Sequence, residues 1–307
     1  MKVLDSLFKK EDEEEKAIAL GNFDGFHIGH MELVRKCGII SKDENYKSMV
    51  LSFKNNPLNF IKKNDLNKSL MTNEDKIELL EDKIDYLLLV DFDNTISHIK
   101  AEDFLKLLVD NFNVKAFIIG FNFRFGFKNS GDHHLVSKFC IENKIKFEIV
   151  PPVTYNKKVV SSTYIRELLT EQGNIKLVNL LLGRIYSIKG EVSGGFKLGR
   201  TIGFPTANLQ FDENIAIPLK GVYFTEALVD NKIYRALTNV GYNVTVSNTK
   251  KIKIETHLLD FNGDIYEKII KILFLGRIRD EIKFNNINEL KKQIEMDINY
   301  MHKTFYN

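Results

Sequence analysis

Tryptophan is absent from the 307 residues, and cysteine occurs only twice. Cys37 and Cys140 lie beside apolar neighbours with no C-x-x-C spacing. A disulfide framework is therefore not expected, and the thiols read as reduced ones in a cytosolic protein. An excess of either charge is also lacking, since 44 Lys and Arg face 41 Asp and Glu for a formal net of +3. Such a chain has no global field to gather nucleic acid or an anionic lipid surface, so any anion must be held locally. No 18-residue apolar run is present, and the opening MKVLDSLFKKEDEEEK has neither an apolar h-region nor a small-residue cleavage site. The expectation is a soluble, cytoplasmic protein with no membrane span and no nucleic-acid partner. Repeats and low-complexity tracts are missing too. The acidic run Glu11 to Glu15 is expected to be a solvated turn before the first strand.

What is present divides in two. A chain of this length is comfortable as two domains, each able to bury a core. In the first half, short apolar runs alternate with helical patterns: AIAL then MELVRKCGII, SMVLSF then NEDKIELLEDK, DYLLLVDF then AEDFLKLLVDNF, VKAFIIGF then HHLVSKFCIENK. Strands that need no polar alternation are buried on both faces, and helical connections make them parallel, which predicts a doubly wound α/β sheet. After about Leu182 the pattern becomes alternating β segments: IYSIKGEV, GVYFTEALV, KIYRALTNV, KIKIETHLLDF and YEKIIKILFLG. Gly, Asn and Asp turns separate them, and a single helical stretch, INELKKQIEMDINYMHK, closes the chain, predicting an all-β barrel or sandwich. EQGNIKLVNLLLG reads as the join, so the expected domains are 1–183 and 184–307.

Directly after the first apolar run stands GNFDGFHIGH, Gly21 to His30. Doubly wound sheets bind ligands at the carboxyl ends of their strands, and a helix start supplies free N–H groups and positive dipole. Gly29 removes bulk between His27 and His30, so two imidazoles three apart are available to a polyphosphate and to charge developing as pyrophosphate departs. The plain alternative is a pair of turn histidines beside an Asx turn of Asn22 and Asp24. Zinc is a poorer reading, because no Cys or carboxylate set accompanies the pair. GFNFRFGFKNSGD, Gly120 to Asp132, follows another strand and is expected at the same sheet edge. VSSTYIRELL places Ser161, Ser162 and Thr163 at a helix start with Arg166 in its first turn; the hydroxyls either cap the helix or, with Arg166, receive a phosphate.

The second half has its own constellation in EVSGGFKLGRTIGFPTANL, Glu191 to Leu209. Gly194, Gly195 and Gly199 around Lys197 suit a basic loop over phosphates, or a hairpin turn. Thr206 and Asn208, two apart, share one face of a strand and offer hard oxygens of the kind Mg²⁺ carried by ATP prefers. In KIKIETHLLDF, Ile252, Ile254, Thr256 and Leu258 fall on one face and Lys253, Glu255 and His257 on the other. Glu255 is thus a candidate general base for an alcohol, with a cross-strand ion pair as the plain alternative.

On these stretches the chain resembles the bacterial bifunctional riboflavin kinase and FAD synthetase family. The first half carries GNFDGxHxGH, G-x-[DN]-F-x-F-G-x-x-x-x-G-D and SSTxIR in that family's order. The second carries LGRxxGFPTAN, PLKGVYF at Pro218 to Phe224, TNVG at Thr238 to Gly241, ETHLLDF and IRDEIKF. A class I aminoacyl-tRNA synthetase, which also bears HIGH, would require a KMSKS-type loop and an anticodon domain, and neither appears.

The resemblance implies a Rossmann-like HxGH nucleotidyltransferase domain with a parallel sheet, then a six-stranded β-barrel with a terminal helix. It implies ATP, riboflavin, FMN and FAD as small-molecule partners and Mg²⁺ with ATP in both reactions. In the adenylyltransferase half it assigns ATP to Gly21, Asn22, Phe23, His27, His30, Asn122, Ser162, Thr163 and Arg166. In the kinase half it assigns the phosphate loop to Gly195, Lys197 and Gly199 and magnesium ATP to Thr206 and Asn208. It makes Glu255 the base for the riboflavin 5′-hydroxyl and Arg279 a flavin contact. Departures from the family pattern are Lys54-Asn55-Asn56-Pro57, Gly194, Asn243-Val244-Thr245 and Glu267 after Tyr266, all near expected flavin or phosphate contacts. A flavin-binding protein with idle sites, or adenylyl or cytidylyl transfer to a non-flavin phosphate, are the competing readings; the second leaves the β half unexplained.

Overall fold

Strands buried on both faces must be roofed twice, and in the first half helices do the roofing. The computed structural model describes residues 1–63, 67–193, 206–244 and 250–305. Two compact units emerge, Met1–Ser162 and Thr163–Asn307. The first runs β1 (Lys2–Leu4), β2 (Lys16–Leu20), α1 (Ile28–Glu44), β3 (Lys47–Phe53), α2 (Pro57–Lys62), α3 (Asn73–Leu80), β4 (Tyr86–Val90), α4 (Asn94–Ser97), α5 (Ala101–Phe112), β5 (Val114–Gly120), α6 (His133–Asn143) and β6 (Lys146–Val150), then a small hairpin, β7 (Thr154–Tyr155) and β8 (Lys158–Val159). Six parallel strands lie in the order β1-β4-β3-β2-β5-β6. Alternate residues of one strand feed opposite cores. Ile18 and Leu20 pack with Leu105 and Leu108 of α5 and Val136 of α6, whereas Ala17 and Ala19 pack with Val34 and Cys37 of α1 and Leu80 of α3.

Two edge strands, β1 and β6, were not anticipated from the sequence, and the acidic run is not a free solvated turn. Lys16 is fully buried and donates to the Asp12 carboxylate at 2.6 Å, while the Tyr86 hydroxyl lies 2.7 Å from Asp12 Oδ2 and 2.6 Å from Glu14 Oε2. A buried ammonium needs an anionic partner. The run supplies it at the amino end of β2, and it follows β1 rather than preceding the first strand.

The second unit takes up the helix α7 (Ser162–Glu167) after its first residue, a π-helical turn at Leu168–Gln172, α8 (Ile175–Leu182), strands β9 (Tyr186–Ser193), β10 (Ala207–Phe211), β11 (Gly221–Val229), β12 (Lys232–Val244), β13 (Lys250–Leu258) and β14 (Ile269–Arg279), and α9 (Ile287–Phe305). The strands close into an antiparallel barrel, β10-β13-β12-β11-β14-β9. Its interior holds Tyr186, Tyr223 and Phe274 and a chain of buried hydroxyls, Thr225 to Thr238 at 2.7 Å and Thr238 to Thr256 at 2.9 Å. The helix α8, read from the sequence as the join, is bonded to this barrel: the Asn179 amide donates to the Phe274 carbonyl and its oxygen accepts from the Tyr186 N–H, both at 2.8 Å. α9 covers an outer apolar patch, with Met301, Ile294 and Ile298 packed near Phe224 and Leu237.

Thr238 sits at the centre of the buried hydroxyl chain, so Thr238→Val leaves Thr225 and Thr256 each short of a partner. The expected result is a loss of about 1–3 kcal/mol in barrel stability, read from the barrel transition in chemical denaturation.

Candidate active sites

β2 and β5 are neighbours at the middle of the sheet, paired Leu20 to Ile119. From β2 the chain winds towards β3 and β4, and from β5 it winds the other way to β6, so the order reverses between them. Such a switch point opens a crevice at the carboxyl ends of the strands. GNFDGFHIGH leaves β2 there, and Asn122, exposed, stands two residues beyond the end of β5. The structure thus brings the first two motifs to adjacent strand ends.

The loop's shape is set by a run of left-handed backbone: φ is 48° at Phe23, 79° at Gly25 and 36° at Phe26. For phenylalanine this is a strained conformation that the surroundings must impose. Both rings are fully buried and stacked, with centroids 4.9 Å apart. Asp24, itself buried, accepts the Leu70 N–H at 2.8 Å through Oδ1, and its carbonyl accepts the Ser162 hydroxyl at 2.8 Å. The Ser52 hydroxyl donates to the Asn22 carbonyl at 3.1 Å.

The loop delivers His27 to the N-cap of the 17-residue helix α1, where its Nδ1 accepts the His30 N–H at 3.3 Å. An accepting Nδ1 in the neutral ring leaves the proton on Nε2, so His27 presents a donor on its far side. The His27 and His30 rings stack with centroids 3.7 Å apart. A side chain at Gly29 would begin 3.2 Å from the His27 ring, so glycine keeps the pair in place. Ser162, expected to touch phosphate, spends its hydroxyl proton on the Asp24 carbonyl. Thr163 and Arg166 follow it one turn apart on α7 and belong to the second compact unit.

In the barrel, cross-strand register decides which side chains meet. Asn208 on β10 is paired with Glu255 on β13, and Glu255 in turn with Asn239 on β12. Residues directly opposite in antiparallel strands project from the same face. Ile254, Thr256 and Leu258 are buried on the inner face, so Glu255 lies in an outer row, as the alternation predicted. Its carboxylate is paired with Lys253 of the same strand at 2.6 Å, an ion pair two residues apart rather than across strands. Asn208 is 9% exposed, and its Oδ1 has no hydrogen-bond partner among the described residues. A buried amide oxygen without a donor is costly unless a ligand serves it. Thr206, exposed, immediately precedes β10. Asn239 extends the row by donating to Glu281 Oε1 at 3.3 Å, and Gly241 leaves space for that carboxylate.

Arg279 has another engagement. Its Nε and Nη2 bind the Asp297 carboxylate of α9 at 2.7–3.0 Å, and Nη1 donates to the Asp280 carbonyl at 2.9 Å. Gln293 also donates to Asp297, at 2.9 Å. Gly195, Lys197 and Gly199, with Gly194 and Thr245, lie outside the described residues. Sequence reading did not single out Ser52, Asn239, Glu281 or Asp297; only the spacing of Asp24 in the first motif hinted at a turn role, and not at its long-range bonds.

Asp297 is almost fully buried, so Asp297→Ala leaves the Arg279 guanidinium without its counterion. The expected loss is about 3 kcal/mol in barrel stability, accompanied by fraying of α9 in hydrogen exchange.

The FAD synthetase family model matches residues 9–164 and the riboflavin kinase family model residues 182–305. The bifunctional riboflavin kinase/FMN adenylyltransferase of Buchnera aphidicola subsp. Schizaphis graminum is 36% identical over 301 residues, covering 96% of each chain. That of Bacillus subtilis is 35% identical over 292 residues, covering 94% of this chain and 92% of its own. A crystal structure titled macrolide-efflux protein, from Streptococcus pneumoniae, superposes with a TM-score of 0.90 at 29% identity over 99% of this chain and 98% of that one. That title describes the other protein; no described helix here is long and apolar enough to cross a membrane. Matched in both halves and along nearly all its length, the chain belongs to the bifunctional riboflavin kinase/FMN adenylyltransferase family.

Proposed function

We propose that residues 184–307 phosphorylate riboflavin to FMN and residues 1–183 adenylylate FMN to FAD, with ATP as co-substrate in both steps and the cytoplasm as the compartment. The observation that carries this reading is that each half brings its motifs to neighbouring strands: the loop holding His27 and the helix holding His30 follow β2, Asn122 follows the neighbouring β5, and Asn208 on β10 is paired with Glu255 on β13.

In the kinase reaction the riboflavin 5′-oxygen attacks the γ-phosphorus and ADP leaves. Lys253 holds Glu255 by Oε1, leaving Oε2 to take the hydroxyl proton. The unserved Oδ1 of Asn208 and the hydroxyl of Thr206 are a hard-oxygen set that fits Mg²⁺ accompanying ATP. The ion would supply neutralisation of phosphate charge.

In the adenylyl transfer an FMN phosphate oxygen attacks the α-phosphorus and pyrophosphate departs. No protein nucleophile is required, because positioning and charge stabilisation dominate such transfers. The Nε2–H of His27, the partly exposed His30 ring and the positive end of the α1 dipole favour the triphosphate there. Asn122 borders the same crevice, and Thr163 and Arg166 are assigned to the phosphates by the family motif.

Glu255→Ala is expected to cut FMN formation from riboflavin by about 10²–10⁴-fold while FAD formation from added FMN persists. His30→Ala is expected to lower FAD formation by about 10²–10³-fold and to spare FMN formation. Product chromatography with riboflavin and with FMN as starting materials reads both. Loss of both activities from either single change, in a folded protein, would overturn two independent sites.

A further inference from the structure

Glu281 follows β14 and has no part in the chemistry described so far. Its carboxylate is exposed and accepts the Asn239 amide at 3.3 Å. Asn239 is half-buried on β12 between the buried Thr238 and Val240, so it projects outward in the row that carries Asn208 and Glu255. We propose that Asn239 and Glu281 receive the secondary hydroxyls of the riboflavin side chain and make the kinase selective for a polyol over a plain primary alcohol.

The direction of the row carries the assignment. Its order is Asn208 on β10, Glu255 on β13 and Asn239 on β12, with strands about 4.8 Å apart. Phosphoryl transfer keeps the leaving and attacking oxygens roughly in line through phosphorus. With the triphosphate at the Asn208 and Thr206 end and the 5′-hydroxyl at Glu255, the carbon chain behind that hydroxyl must run away from the donor. Asn239 and then Glu281 are what it meets, and the nearest secondary hydroxyls lie within a strand spacing of the 5′-oxygen. Each such hydroxyl gives one proton and accepts through oxygen. A carboxylate beside an amide supplies both complements, and the Asn239 amide keeps a second hydrogen after bonding Glu281.

The pair is also held ready. Gly241 faces Lys253 across the ladder, and a side chain there would overlap Glu281 Oε1 and begin 3.3 Å from Asn239 Nδ2. The glycine thus admits the carboxylate to the sheet surface. The preceding residue is fixed from two sides, because the Asp280 carboxylate binds Arg277 and its carbonyl accepts from Arg279. Groups fixed in advance lose little freedom when a ligand arrives.

The inference rests on the kinase reading of residues 184–307, with Glu255 as the base. The full chain is assayed with ATP and two flavins, riboflavin and an analogue carrying a 5-hydroxypentyl group in place of ribityl. The analogue keeps the chain length and the primary hydroxyl and lacks the secondary ones. Wild type is expected to favour riboflavin in kcat/KM by about ten- to a hundredfold. Glu281→Ala and Asn239→Ala are each expected to lower kcat/KM for riboflavin about tenfold while that for the analogue moves by less than about twofold. FAD formation from added FMN should not change. Damage to the barrel would instead lower both flavins together. Gly241→Ala removes no polar group but displaces the carboxylate, so it should shrink the preference too. Where turnover of the analogue is too slow to time, its competition against riboflavin gives the same ratio. A wild type without preference, or variants that lose both flavins in equal proportion or keep the full preference, would overturn the assignment. Absence of any FMN formation from riboflavin by wild type would instead overturn the kinase reading itself.

Discussion

Apolar strand surface has to be covered, and the two halves of this chain solve that problem differently. In Met1–Ser162 each central strand is buried on both faces, so helices must lie on both sides and connections must be parallel. That requirement forces the winding to change direction somewhere, and it does so between β2 and β5. The crevice at that point is a by-product of coverage. In the barrel, closure hides the inner face alone, so the outer face remains for chemistry wherever α9 does not lie. Glu255 and Asn208 occupy that outer face, and the buried threonine chain fills the inner one.

The central strands and the change of texture near Leu182 were legible because runs such as AIAL and DYLLLV leave few choices of period. β1 and β6 were not. KVL is three residues at an edge, and in the edge strand KFEIV the charged residues Lys146 and Glu148 pair with Glu44 and Lys36 of α1, so the run does not read as apolar. The acidic run resembled a solvated turn since nothing local shows that Lys16, immediately after it, is fully buried and needs carboxylates.

At the sites, motif spacing placed His27, His30, Asn208 and Glu255, but it carried no register. That Asn208 faces Glu255 depends on β10 pairing with β13, some fifty residues apart, which no periodicity reports. Backbone strain was equally hidden, because phenylalanine at positive φ runs against local preference and is imposed by tertiary contacts. Lys76 sits in NEDKIELL, where the helical pattern by itself assigns a lysine to solvent, yet it is buried and donates to the Phe53 carbonyl at 2.6 Å. Arg279 shows the converse: its motif suggested a ligand, and the structure gives it the Asp297 carboxylate.

The bonds of Asn179 reach beyond packing. They satisfy a backbone carbonyl on β14 and a backbone N–H at the start of β9, so part of the barrel's own ladder accounting is closed by a helix that precedes it in sequence. The two family models leave residues 165–181 to neither half. A barrel excised at residue 184 would discard Asn179 and leave both groups to water. The seam at which activities are divided and the seam at which hydrogen bonding can be cut without loss are therefore different places in this chain.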